Sequence, residues 1–300
     1  MNQSETTSAK IRLITSMILF GTVGLIVRRI GLPSGLVSLL RGLLASLFLL
    51  VLIRARGTRI DGQAIRRNLP ALAFSGGSLG YMWVLLYEAY QRTTIAAATL
   101  SYYLAPLVVI LLAAVLLKER LTLIKILCVL AALAGMVLIS GLLQFSTLKP
   151  GDLAGIGLGT GAAILYAGIT ILNKQMKGID SYVKTLIQLL FSALFIIPYA
   201  ALTVDWSQVR FTATGLASLL VLAFVHTGST YALFFSSLGA IKAQTVAILS
   251  YIDPLVSVLV SAVFLKESLG PWTYAGGALI LGAALVSEVS DMRVRASVRT

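Results

Sequence analysis

Asp253 stands directly before Pro254, near the middle of an apolar run that extends from 241 to 265. A charged side chain at the centre of a bilayer costs at least about 2.5 kcal/mol, so this carboxyl must face protein or water. There it suits a proton acceptor or the counter-charge of a substrate ammonium, against the plainer reading of a carboxyl satisfied by neighbouring helices. His226 is the single histidine and lies halfway along another apolar run, beside Thr227 and Ser229. A lone imidazole at membrane depth is as a rule an interhelical hydrogen-bonding group; the scarcity of other protonatable groups makes it the second candidate for a proton relay. Around these two the sequence places an aromatic and hydroxyl set: Tyr81, Trp83, Tyr87, Tyr103, Tyr166, Tyr231, Tyr251 and Ser250. Phenol hydroxyls in an apolar medium need partners. A cavity faced by tyrosine, serine and one carboxylate fits a small amphipathic solute better than a bare ion.

Helices that cross a membrane must position these groups. The 300 residues are 58% hydrophobic and 12% charged, and soluble domains carry about twice that charge. Ten apolar runs reach the roughly 20 residues that a 30 Å hydrocarbon core requires: 11–30, 35–53, 69–90, 93–117, 121–141, 152–173, 181–203, 212–237, 241–265 and 271–288. The polar first ten residues lack a small-residue cleavage pattern, so the run after them reads as a first helix and not a signal peptide. The divisions expected are a tail at 1–10, a five-helix half at 11–141, a linker at 142–151, a second five-helix half at 152–288 and a tail at 289–300. With the N-terminus inside, seventeen of the 24 lysines and arginines fall in inner segments and six in outer ones, with Arg41 inside a helix. The positive-inside bias therefore puts both termini in the cytoplasm. It also explains the net charge of +13 without nucleic acid, while leaving an attraction to anionic lipid open.

The two halves echo each other. Leu100 to Leu121 and Ile248 to Leu269 align without a gap at a step of 148 residues, and eleven of their 22 positions are identical. Pro106 falls on Pro254, Tyr103 on Tyr251, Lys118 on Lys266 and Glu119 on Glu267. A weaker match sets Phe20 on Tyr166 and Arg28 on Lys174. Five helices per half is an odd number, so the repeat is inverted, a design that lets one central site open to either side.

Four features together resemble the EamA-type, ten-helix branch of the drug/metabolite transporter superfamily. They are the paired five-helix halves, the Leu-Lys-Glu endings at Leu117 to Glu119 and Leu265 to Glu267, the mid-helix Pro106 and Pro254, and Arg41 within Leu39 to Gly42. The resemblance implies an all-α basket around a cavity lined by the first, third, fourth, sixth, eighth and ninth helices, with the fifth and tenth as scaffold. It also implies export of amino acids or similar metabolites. In the second half the counterpart of Arg41 is not basic, the nearest polar residue being Gln188. Arg41 is expected to snorkel outward or to pair with a carboxylate. Glu119 and Glu267 are expected to cap the next helix or to receive a neighbouring arginine. Pro106 and Pro254 are expected to bend their helices.

The expected function is secondary transport across a bacterial-type inner membrane by alternating access, with protons as a candidate coupling ion. No glycine loop for nucleotide phosphate is present, and one cysteine with one histidine offers no metal cluster, so neither cofactor nor metal is called for. An intramembrane enzyme would need several clustered acid–base groups, and one Asp and one His on different helices do not supply them. A passive facilitator and a non-transporting sensor or assembly subunit stay open at this stage.

Overall fold

The computed structural model of the chain describes residues 3–27, 29–93, 98, 101–119, 121–140, 152–265 and 271–297. All secondary structure among them is helical. In order, the segments are α1 (Gln3–Gly21), α2 (Val23–Val27), α3 (Ser34–Ala55), α4 (Gly62–Arg92), α5 (Ala105–Leu116), α6 (Leu123–Ser140) and α7 (Asp152–Gln175). There follow α8 (Ser181–Thr203), α9 (Ala213–Val221), a π-helical stretch (Leu222–Ser229), α10 (Thr230–Leu238), α11 (Ala243–Leu249), α12 (Ile252–Leu265) and α13 (Pro271–Ser297). Among the described residues six helices are long and apolar enough to cross a membrane, and shorter apolar ones span Ala105–Leu116, Leu123–Leu138 and Tyr274–Ser287. The linker expected at 142–151, with Lys266 and Glu267, lies outside the described residues.

Three runs that read as continuous are broken, each for a local reason. The first helix stops at Gly21 and resumes at Val23, with the Thr22 hydroxyl donating to the Leu19 carbonyl at 2.7 Å. The ninth is split into α11 and α12 around Ser250 and Tyr251. Pro254 has no amide hydrogen for the carbonyl four residues back. The Asp253 amide instead donates to the Ser250 carbonyl at 3.3 Å, and that of Tyr251 to Ile248 at 3.2 Å, a tightening of the turn ahead of the proline. In the fourth helix, Pro106 likewise takes an opening position of α5, just after Tyr103 and Leu104, which form a turn. Both prolines thus mark starts of half-helices and not bends within whole ones. In the eighth helix the π-helical stretch is threaded by Thr227, Ser229 and Thr230, whose hydroxyls each donate to the carbonyl five residues back at 2.7, 3.0 and 2.8 Å. Such stretches occur often at functional sites. Other boundaries move outward: the third helix begins at Gly62, capped by Asp61 Oδ1 on the amides of Gln63 and Ala64, and the tenth runs on to Ser297.

Small residues set the packing distances. A Cβ on Gly135 of the fifth helix would lie 2.6 Å from the Gly276 carbonyl of the tenth, and buried Lys125 donates to the Ser287 carbonyl and hydroxyl across the same interface at 3.3 and 2.6 Å. These two helices pack on each other away from the cavity, consistent with a scaffold. In the third helix a Cβ on Gly76 would meet the Gln188 carbonyl at 2.5 Å and Phe191 Cβ at 2.7 Å. Neither can swing aside as a flexible side chain would. Gly76→Ala should therefore cost about 1–3 kcal/mol through overpacking and lower the melting temperature in detergent. Gly157→Ala, inside a helix at a position with open space around it, should hold that temperature or raise it slightly.

Candidate solute-binding cavity

The half-helices and the middle turns of the long helices enclose a cavity of about 530 Å3. Its walls come from the first helix (Met17 to Val27), the third (Met82, Trp83, Leu86 and Tyr87), the fourth (Tyr102 to Pro106), the sixth (Tyr166), the eighth (Tyr231) and the ninth (Ser250, Asp253, Ser257 and Val260). The second helix adds Arg41, which the expected lining did not include. In the first and third helices the lining residues lie toward the C-terminal end, and in the ninth they span its middle. The cavity therefore extends from mid-depth toward the end of the bundle away from the chain termini.

Asp253 sits in the first turn of α12, on the cavity wall, with the Tyr103 side chain as its hydrogen-bonding neighbour. Opposite groups are aromatic. Phe20 meets Tyr231 edge-on at 4.9 Å between centroids, Tyr102 meets Tyr166 at 5.9 Å, and Trp83 meets Tyr231 at 5.9 Å while donating its indole N–H to the Tyr231 hydroxyl at 3.1 Å. Of the residues expected at the site, Asp253, Trp83, Tyr87, Tyr103, Tyr166, Tyr231 and Ser250 line this cavity together with Pro106.

The others stand elsewhere. Tyr81 is 40% exposed and turned away from the cavity. Tyr251 is fully buried in the split of the ninth helix, where its hydroxyl donates to the Tyr103 carbonyl at 3.1 Å, tying together the breaks of the two repeat-related helices. His226 lies behind the wall: its Nε2 is 2.9 Å from Thr22 Oγ1, so the π-helical stretch is joined to the break in the first helix. Arg41 does not snorkel, and it meets no carboxylate among the described residues. It is 4% exposed, its Nε donates to Thr227 Oγ1 at 3.1 Å, and its guanidinium carbon lies 4.0 Å over the Trp83 ring. The wall of tyrosine, tryptophan and hydroxyl groups gives it a polar setting that the lipid face does not.

Toward the chain termini the two halves are joined by polar contacts. Glu119 does not cap the next helix, nor does it take an arginine. Its Oε1 accepts the Ala243 amide at the start of α11 at 3.0 Å and lies 3.8 Å from Lys174 Nζ, so a residue of the first half caps a helix of the second. The segment leading to it turns at Lys118, whose positive φ of 54° is the left-handed conformation usual after a helix end. Lys174 also donates to the Leu238 carbonyl at 3.2 Å and to that of Ile241. Among the described residues, Glu119 Oε2 and the Oδ1 of Asn173, next to Lys174 in the chain, are buried without a hydrogen-bond partner. Sequence reasoning treated Lys174 as a topology-setting charge and gave Thr22 and Thr227 no role; their partners are more than 50 residues distant. Only the tertiary fold reveals them. Glu88 meets Arg92, four residues on, at 3.7 Å and accepts from the Tyr199 hydroxyl at 2.9 Å.

A helical membrane bundle with broken helices about a cavity that draws on both halves has the build of a small-solute transporter. The EamA-like transporter family model matches residues 8–141 and again 153–288, and the chain belongs to that family. It is 29% identical to the uncharacterized transporter YxxF of Bacillus subtilis over 94% of this chain and 92% of that protein. It is 31% identical to a probable amino-acid metabolite efflux pump of Salmonella typhimurium over 49% and 52% of the two chains. A solved crystal structure superposes with a TM-score of 0.84 over 93% of this chain and 97% of the other at 21% identity, a likeness of fold.

Proposed function

We propose that this transporter moves amino acids or similar small amphipathic metabolites out of the cell across the inner membrane, by alternating access and coupled to protons. The observation that carries this reading is the cavity itself. It joins residues of both halves, holds one carboxyl and one guanidinium on a wall otherwise made of aromatic, hydroxyl and aliphatic side chains, and is large enough for a metabolite. The resemblance of half the chain to a probable amino-acid metabolite efflux pump supports the same solute class. With both termini in the cytoplasm, as the lysine and arginine distribution favours, the cavity faces outward and the Glu119–Lys174 junction closes the cytoplasmic end.

In this account the two five-helix halves, 11–141 and 152–288, are inverted repeats that rock about the cavity. Asp253 takes up or releases the coupling proton, His226 and Thr22 connect the first helix to the eighth, and the half-helix junctions at Pro106 and Pro254 absorb the motion. A passive facilitator would share the cavity but need no titrating carboxyl. Reconstituted protein given labelled amino acids should show uptake that an imposed pH gradient raises; equal uptake with and without the gradient would establish facilitation in its place.

A further inference from the structure

Among the described residues that line the cavity, Arg41 is the one cation and Asp253 the one anion. They make no ion pair with each other. The guanidinium spends its Nε on Thr227 and one face on Trp83, and no other hydrogen bond or ion pair of Arg41 occurs among the described residues. Its terminal nitrogens are thus left at the cavity without a counter-charge among the described residues. A buried charge of this kind is costly unless something pairs with it. Thr227 and Trp83 also remove most of the freedom a long arginine side chain would lose on binding, which leaves a fixed planar fork suited to a carboxylate.

We infer that Arg41 is the carboxylate-binding group of the transported solute. The inference rests on the transport reading above and narrows its substrate class: the solute is an anion or a zwitterion, not a bare amine and not a neutral molecule. With Asp253 lining the same cavity as the ammonium partner, and Phe20, Tyr102 and Tyr166 among its aromatic lining, the best fit is an α-amino acid with a sizeable apolar side chain.

Trp83 lies directly on Arg41 and so reports on occupancy. The other tryptophans, Trp206 and Trp272, are 56% and 57% exposed, and W206F/W272F leaves Trp83 as the sole tryptophan, to be excited selectively over the tyrosines. Purified protein of that background is titrated with L-phenylalanine, L-phenylalaninamide, phenethylamine and 3-phenylpropionate, with Trp83 emission as the readout. Phenylalanine should bind at least about tenfold more tightly than its amide, in line with a charge-assisted bidentate contact. Arg41→Gln should erase that ratio while still binding the amide, which shows the variant to be folded, and Arg41→Lys should fall between. Amide or amine binding as tight as phenylalanine, a ratio that survives Arg41→Gln, or no saturable response to any carboxylate probe overturns the inference. Uptake of a labelled amino-acid pool by the same preparations separates the two failures. Flux whose KM is unchanged by Arg41→Gln defeats the carboxylate site alone, and absence of any flux defeats the transport reading beneath it.

Discussion

Replacing Asp253 by Asn is expected to abolish the dependence of transport on an imposed pH gradient. The carboxamide has nearly the carboxyl's shape and keeps a hydrogen-bonding edge toward Tyr103, so the wall of the cavity should stay intact. What it loses is the ability to exchange a proton. Each pH unit of gradient is worth about 1.4 kcal/mol per coupled proton, or about tenfold in accumulation at equilibrium. A two-unit gradient should therefore drive accumulation of up to about a hundredfold in the parent protein and close to none in the variant. The comparison is made in proteoliposomes, with exchange of labelled solute at equal concentration on both sides as a measure of the remaining carrier. Undiminished coupling in Asp253→Asn would remove this residue from the mechanism.

The second large effect is expected at the closed end. Glu119→Ala deletes the carboxylate beside Lys174 and uncaps α11 in one step. Breaking a buried pair costs about 3–5 kcal/mol. The two side chains retain 13% and 16% exposure, which argues for the lower end of that range. Because Glu119 belongs to the first half and both Lys174 and Ala243 to the second, the loss falls on the contact between halves. Buried Glu119 Oε2 and Asn173 Oδ1, unpartnered in the closed arrangement, already favour hydration on opening. The equilibrium should shift toward opening at the termini side by about tenfold or more. The check is labelling of a cysteine at Ser250 by an impermeant thiol reagent supplied from that side, in a background where Cys128 is alanine. Glu119→Ala should raise the rate at least about tenfold, and Glu119→Gln, which keeps an acceptor for Ala243, by less. Equal rates in all three proteins would show that this junction does not govern closure.

How much was legible in the sequence differs by element. The long spans were plain because 20 apolar residues have few alternatives, and the repeat at 100–121 and 248–269 was visible because its tyrosine, proline and Lys-Glu positions are not cheap matches. Helix interruptions were legible only as prolines; that α5 and α12 begin there, with Asp253 in the opening turn of α12, depends on the carbonyls each proline leaves without a donor. Asp253 and most of the tyrosines could be placed at the cavity because polar groups in apolar runs must face inward. Tyr81 and Tyr251 follow the same compositional rule yet point elsewhere, since rotation about the helix axis is set by packing and not by composition. Arg41 was the largest misreading. Its partners Thr227 and Trp83 come from the eighth and third helices, and no spacing along the chain records their meeting.

The most direct test of the account is uptake by proteoliposomes of a mixed pool of labelled amino acids and related metabolites, with and without a pH gradient. The account predicts accumulation above protein-free vesicles, of carboxylate-bearing amino acids in particular, and a rise when the gradient is imposed. No flux of any solute in the pool, from protein shown to be folded and inserted, would contradict it.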